Sequence, residues 1–92
     1  MKYIKTYEQS KEITFREWLI NIPQDINTTI INCIKSNLLD LNGIEQFTNL
    51  KYLYCAYNQL TQLPDLINNL KNLQGLGCAY NQLTKLPDLS NL

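Results

Sequence analysis

The sequence predicts an α/β fold. It is a short solenoid in which each coil gives one strand to a small parallel sheet, with irregular or 3₁₀ segments on the return side. Three observations predict it. Leu50-Lys-Tyr-Leu-Tyr-Cys-Ala-Tyr-Asn-Gln-Leu-Thr-Gln-Leu-Pro-Asp-Leu66 returns, nearly unchanged, as Leu73-Gln-Gly-Leu-Gly-Cys-Ala-Tyr-Asn-Gln-Leu-Thr-Lys-Leu-Pro-Asp-Leu89. A fixed period in the low twenties is the mark of a stacked repeat. Within each copy, apolar and outward residues alternate as they do along a strand. Residues 1–21 do not fit the repeat cleanly and carry a helical pattern over about 15–21, so they are expected to form an N-terminal cap on repeats spanning 22–92.

The alternation sets the strand direction. Leu53 and Cys55 alternate with Tyr52, Tyr54 and Ala56, so the first two point inward and the others outward. Asn58 and Asn81 sit where each strand turns into its loop. A buried amide there can satisfy backbone groups of its own turn and of the next coil, forming a ladder. Left unpaired it would cost about 1–3 kcal/mol. Leu60 and Leu63 bring the chain back to the core. Pro64 has no N–H to donate and keeps the return segment out of a ladder.

A weaker copy precedes these two. Shifting Cys55 back by twenty-two residues reaches Cys33. The same shift places Ile31, Leu38, Leu41 and Ile44 at the positions of Leu53, Leu60, Leu63 and Leu66, and Ser36 at the position of Asn58. Ser36 is therefore expected as the first rung of the Asn/Ser ladder, with Asn58 and Asn81 next. Cys33, Cys55 and Cys78 are expected to form a buried ladder of small apolar side chains.

Taken in order, the chain opens with the cap. Thr14-Phe-Arg-Glu17 fits a capping box, and Phe15, Trp18, Leu19 and Ile22 recur at helical spacing. This predicts a short helix over about 15–21, stopped before Pro23, with Trp18 packed on the first coil. Alternatively, Tyr3 to Tyr7 and Glu12 to Phe15 form two short strands. Strands are expected near 30–34, 52–56 and 75–79. Asn42-Gly43 signals a turn. The stretch from Asp65 to Asn72 has room for one helical or 3₁₀ turn, with Leu66 and Leu70 facing the core. No polar closing segment follows Leu89, so a C-terminal cap is expected to be absent and the last strand to be an uncovered edge.

The quoted repeat reads L-x-x-L-x-C-x-x-N-x-L, carried by Leu50, Leu53, Cys55, Asn58 and Leu60, and by Leu73, Leu76, Cys78, Asn81 and Leu83. It resembles the leucine-rich-repeat family, and within it the cysteine-containing repeats with Leu-Pro tails of bacterial internalin-like and effector proteins and of giant-virus proteins. The resemblance implies a right-handed solenoid whose concave sheet face binds protein partners without catalysis.

Composition narrows the function. The 92 residues include eight Lys plus Arg against eight Asp plus Glu, and no His. The balance leaves no basic stripe for nucleic acid, and the usual general base at neutral pH is missing. Three Cys without a C-x-x-C pair do not make a zinc site. Gly75 and Gly77 lie in a strand and form no phosphate loop. No catalytic residue, metal or cofactor is expected. Met1 to Tyr7 holds no apolar run fit for a secretory signal, and no stretch reaches the length of a membrane helix. A cytoplasmic location with reduced thiols follows as the expectation.

The outward strand face carries Asn32 and Lys35 in the first coil, Tyr52, Tyr54 and Tyr57 in the second, and Gly75, Gly77 and Tyr80 in the third. Tyrosine is enriched in interface cores because it joins a large apolar area to a polar tip. These residues are the expected partner-binding surface. Gly75 and Gly77 are expected to leave a notch beside Tyr52 and Tyr54. Tyr57 and Tyr80, at one repeat position, either stack on each other or meet the partner. Two other readings stand beside a protein partner. One is a homodimer through the uncapped C-terminal edge. The other is an N-terminal piece of a larger repeat effector.

Overall fold

The computed structural model describes residues 11–87. Asp88 and Leu89 of the second tail, and the strand considered for Tyr3 to Tyr7, lie outside the described residues.

The chain enters through Ile13, which makes a single parallel bridge to Leu38. Its N–H donates to the Asn37 carbonyl at 3.0 Å, and the Leu39 N–H donates to the Ile13 carbonyl at 2.8 Å. Helix α1 then runs Phe15–Asn21. Its start is a full capping box: the Glu17 N–H donates to Thr14 Oγ1 at 3.1 Å, and the Thr14 N–H donates to the Glu17 carboxylate at 3.0 Å. These bonds hold the exposed Glu17 carboxyl below its ordinary range, the backbone bond from Thr14 contributing most. Asp40 satisfies a further orphan donor, its Oδ1 accepting from the Phe15 N–H at 3.1 Å. One turn apart on α1, Phe15 and Trp18 are buried and stack at 5.6 Å between centroids. Phe15 also meets Phe47 edge-on at 6.3 Å. The aromatic face of α1 is thus fastened to the rest of the core.

Three strands follow: β1 Ile30–Asn32, β2 Tyr52–Tyr54 and β3 Gly75–Gly77. They form one parallel sheet in chain order. Ile30, Tyr52 and Gly75 share a register, as do Ile31, Leu53 and Leu76, and Asn32, Tyr54 and Gly77. Each strand ends two residues earlier than the sequence suggested. Hydrogen bonds between coils continue past the strands, from the Lys35 N–H to the Ala56 carbonyl and from the Tyr57 N–H to the Ala79 carbonyl. The backbone, however, turns left-handed at Lys35, Tyr57 and Tyr80, with φ of 54°, 58° and 57°.

On the return side lie 3₁₀ turns at Ile44–Gln46 and Asp65–Asn69. Here the sequence expectation needs correction. Ile67 and Leu70 are buried from the second turn, whereas Leu66 is 49% exposed. The first coil is one residue shorter than the second. Leu41 matches Leu63 at a shift of twenty-two, but Ile44 matches Ile67, and Leu50 matches Leu73, at twenty-three. The extra residue falls in the Pro64–Leu66 segment. Its counterpart, Asn42-Gly43, closes the shorter loop with Gly43 at φ 105°, a conformation that costs glycine little.

One apolar core runs through the coils, including Ile31, Leu38, Leu41, Leu50, Leu53, Leu60 and Leu70, all fully buried. The third coil is less covered: Leu76, Cys78 and Leu83 are only partly buried, while their equivalents Leu53, Cys55 and Leu60 are inaccessible. The expected buried cysteine ladder is therefore corrected. Cys33 and Cys55 are buried, but Cys78 is half-buried, because no described strand packs against the outer edge of β3.

Candidate interaction surface

The turn out of each strand fixes the geometry of the outward face. Asn58 is 5% exposed and anchors the second turn. Its Nδ2 donates to the carbonyls of Cys33 and Cys55 at 2.9 and 3.0 Å, and its Oδ1 accepts from the Ser36 and Leu38 N–H groups at 3.0 Å each. Asn81 repeats the pattern one coil on. It donates to the Cys55 and Cys78 carbonyls and accepts from the Leu60 N–H, all at 3.0 Å. The ladder binds each coil to the one before it, not to the one after, as the sequence reading had it. Ser36 also needs correction. Its hydroxyl reaches only the Ile34 carbonyl of its own coil at 3.3 Å. A serine side chain is too short to span coils, so Ser36 joins the ladder through its N–H alone.

A second asparagine series was missed. Asn49 donates to Asn27 Oδ1 at 3.2 Å, and Asn72 donates to the Thr48 carbonyl at 3.3 Å. The spacings of Asn27, Asn49 and Asn72, twenty-two and twenty-three, carried the signal.

Burial keeps the inner thiols inert. It pushes Cys33 and Cys55 up to about 12, and the neighbouring cysteines add to the effect at Cys55. No group of three or more His, Cys, Asp or Glu among the described residues is placed to hold a metal ion.

The outward residues gather into two sets. In the first, Tyr52 and Tyr54 lie nearly parallel, 6.4 Å between centroids and 5° between planes. They lean over the glycines of β3. A Cβ at Gly75 would lie 2.8 Å from Tyr52 Cδ1, and one at Gly77 would lie 3.5 Å from Tyr54 Cδ1. The notch expected beside these tyrosines is therefore filled by their own rings. The glycines exist for that contact, and the Tyr52 hydroxyl continues past them to Gln74 Oε1 at 3.2 Å. Asn32 lies in register beside Tyr54, its Oδ1 accepting from the Ile34 N–H at 3.2 Å.

The second set is a column. Lys35, Tyr57 and Tyr80 hold the same position in successive coils. Tyr57 and Tyr80 stack at 4.4 Å with 7° between planes, and Lys35 Nζ lies 5.1 Å from the centroid of Tyr57. Each of the three sits in left-handed backbone, which costs a residue with a Cβ about 1–2 kcal/mol. Stacking and the cation–π contact offset this, by about 0.5–1.5 and 0.5–1 kcal/mol. Tyr80 stays 71% exposed. Beside the column run Gln59 and Gln82, joined by a 3.2 Å bond from Gln82 Nε2 to Gln59 Oε1. Sequence reasoning overlooked this pair, although both follow a ladder asparagine.

No helix among the described residues is long and apolar enough to cross a membrane. Comparison with curated proteins and with solved structures found no match. A family model does match: residues 48–91 fit the one described as Leucine Rich repeats (2 copies). Domains of that family generally mediate protein–protein interaction and are typically not enzymes. The match, together with the parallel sheet and its asparagine-linked coils, supports a place for this chain among the leucine-rich-repeat proteins.

Proposed function

We propose that the chain is a non-catalytic protein–protein interaction module. It is a short right-handed solenoid, capped by its N-terminal segment, that presents a tyrosine-rich concave face to a partner protein. The preformed tyrosine surface carries this reading. Tyr52 and Tyr54 are held over Gly75 and Gly77, and Tyr57 and Tyr80 are held against each other. Rings already fixed lose little freedom when a partner docks. With Asn32 and Lys35 they make a face of low charge, suited to a partner protein rather than to nucleic acid. Reduced thiols fit a cytoplasmic setting. The finer resemblance, to cysteine-containing repeats of internalin-like, effector and giant-virus proteins, rests on the Leu-Pro tails. It leaves open a role as the N-terminal piece of a larger effector.

A homodimer is the second reading. The half-buried Leu76, Cys78 and Leu83 favour it, because each has a fully buried equivalent one coil earlier. Light scattering across a wide concentration range separates the two. A mass that stays monomeric leaves the tyrosine face as the working surface. A dimer that dissociates on dilution, and that a charge placed at Leu86 abolishes while Tyr54→Ala leaves it intact, assigns the main contact to the edge and overturns the partner reading.

A further inference from the structure

The two edges of the sheet are finished differently. On β1 the backbone groups of Ile30, Asn32 and Ile34 point away from β2, since the alternate residues Ile31 and Cys33 face it. Side chains close that edge. Thr28 Oγ1 accepts from the Ile30 N–H at 3.4 Å and donates to the Ile30 carbonyl at 2.9 Å. Asn32 Oδ1 accepts from the Ile34 N–H at 3.2 Å, and the Ser36 hydroxyl donates to the Ile34 carbonyl at 3.3 Å. An arriving strand must break these bonds, and such blunting is a common defence of edge strands.

β3 has no such closure. Its outer edge offers three donors, the N–H groups of Leu76, Cys78 and Tyr80, and two acceptors, the carbonyls of Gln74 and Leu76. None of the five has a hydrogen-bond partner among the described residues. The equivalent groups of β2 show what fits. The Cys55 and Tyr57 N–H groups donate to the Gly77 and Ala79 carbonyls at 2.8 and 3.0 Å, and the Lys51 carbonyl accepts from the Gln74 and Gly75 N–H groups at 2.7 and 3.0 Å. All of these partners come from a parallel neighbour.

This inventory separates the occupants. A second copy added in parallel must offer its β1 edge, which is closed. A second copy added about a two-fold axis pairs antiparallel. It matches Leu76 with Leu76 and Cys78 with Gln74, but sets the Tyr80 N–H opposite Asn72, outside the strand. A parallel extended segment of another protein satisfies all five groups. Its inward side chains meet Leu76 and Cys78, which are half-buried while their equivalents Leu53 and Cys55 are inaccessible. Its outward side chains lie beside Gly75 and Gly77, next to the rings of Tyr52 and Tyr54.

We propose that β3 receives an extended segment of the partner protein as a fourth, parallel strand. Apolar side chains of the segment pack on Leu76 and Cys78. The alternate residues pair with β3 through their backbone and turn their side chains toward Tyr52 and Tyr54. In this mode main-chain bonds supply affinity and the alternating side chains supply specificity. The proposal rests on the reading of the chain as a protein-interaction module and adds how the partner is held.

The test uses the full chain and two end-blocked peptides of alternating Thr and Val, about seven residues long, the length of an ordinary strand. One is N-methylated at every Val and the other at every Thr. With Val turned inward, a parallel strand pairs through the backbone of its Thr residues, and an antiparallel strand through that of its Val residues. The Val-methylated peptide should slow amide exchange at Leu76, Cys78 and Tyr80, read by NMR. The Thr-methylated peptide should bind at least about tenfold more weakly, because its methyl groups remove the donors to the Gln74 and Leu76 carbonyls. The proposal is overturned if neither peptide slows exchange, or if the Thr-methylated peptide binds as well or better. Slow exchange at these three amides in the peptide-free chain overturns it too, since the edge is then covered by the chain itself or, where dilution restores exchange, by a second copy. If the peptides fail while a partner protein still cross-links at position 54, this proposal alone falls and the broader reading stands.

Discussion

Asn58 donates its side-chain amide to the carbonyl of Cys33, 2.9 Å away in the preceding coil. This bond and its companions tie the first two coils together at the point where the strands end. Replacing Asn58 by Ala strands the Ser36 and Leu38 N–H groups and leaves carbonyls short of a partner. Each unsatisfied buried group costs about 1–3 kcal/mol, so Asn58→Ala should lose at least about 3 kcal/mol in urea unfolding. Asn81→Ala, at a half-exposed site, should lose about 1 kcal/mol.

The glycines of β3 differ in how much room they have. Gly75→Ala places a methyl 2.8 Å from Tyr52 Cδ1. The ring must swing away and lose its bond to Gln74, at a cost of about 1 kcal/mol or more. Gly77→Ala meets Tyr54 at ordinary contact distance, 3.5 Å, and should change stability by less than about 0.5 kcal/mol. Denaturation midpoints with the Tyr52 ring signals distinguish the two.

Thiol chemistry should follow burial. Under native conditions an alkylating reagent should modify Cys78 first and leave Cys33 and Cys55 untouched until the chain unfolds, as peptide mass spectrometry would show. The same burial sets a pH dependence. Cys33 and Cys55 are raised from 9.0 to about 12 in the fold. Between those values the unfolded chain has shed protons that the folded chain keeps. Their contribution to stability is therefore complete below about pH 9 and declines as pH rises toward 12. Replacing both cysteines by Ala should flatten that decline.

The start of α1 should respond in the opposite range. Glu17 is held below its ordinary value by its bonds to Thr14. The capping box thus contributes fully above the unfolded value and is lost as pH falls through the lowered one. Thr14→Ala should cost about 1 kcal/mol at neutral pH, and the penalty should shrink in acid.

Much of this molecule was legible because stacked coils repeat their constraints. Strand alternation around Leu53 and Cys55, the capping box at Thr14 and the asparagine turns at Asn58 and Asn81 each follow from a local pattern. The misreadings have specific causes. Leu66 was placed inward because one shift was applied to the whole coil, although Pro64 and its neighbours add a residue. Ser36 was given a rung because chemistry was matched without regard to reach. The notch at Gly75 and Gly77 was drawn from the bare glycines, and only the structure shows Tyr52 and Tyr54 lying across them. The Gln59–Gln82 pair escaped notice because the two residues gain meaning only when adjacent coils bring them together.

The most direct test of a partner-binding face is site-specific photo-cross-linking in the cells from which the protein comes. A photoreactive residue is placed at Tyr54 on the sheet face and, as a control, at Ile20 on the solvent side of α1, which is 78% exposed. The account predicts a discrete heterologous protein adduct from position 54 and none from position 20. No adduct from position 54, or only a product of two copies of this chain, would contradict it.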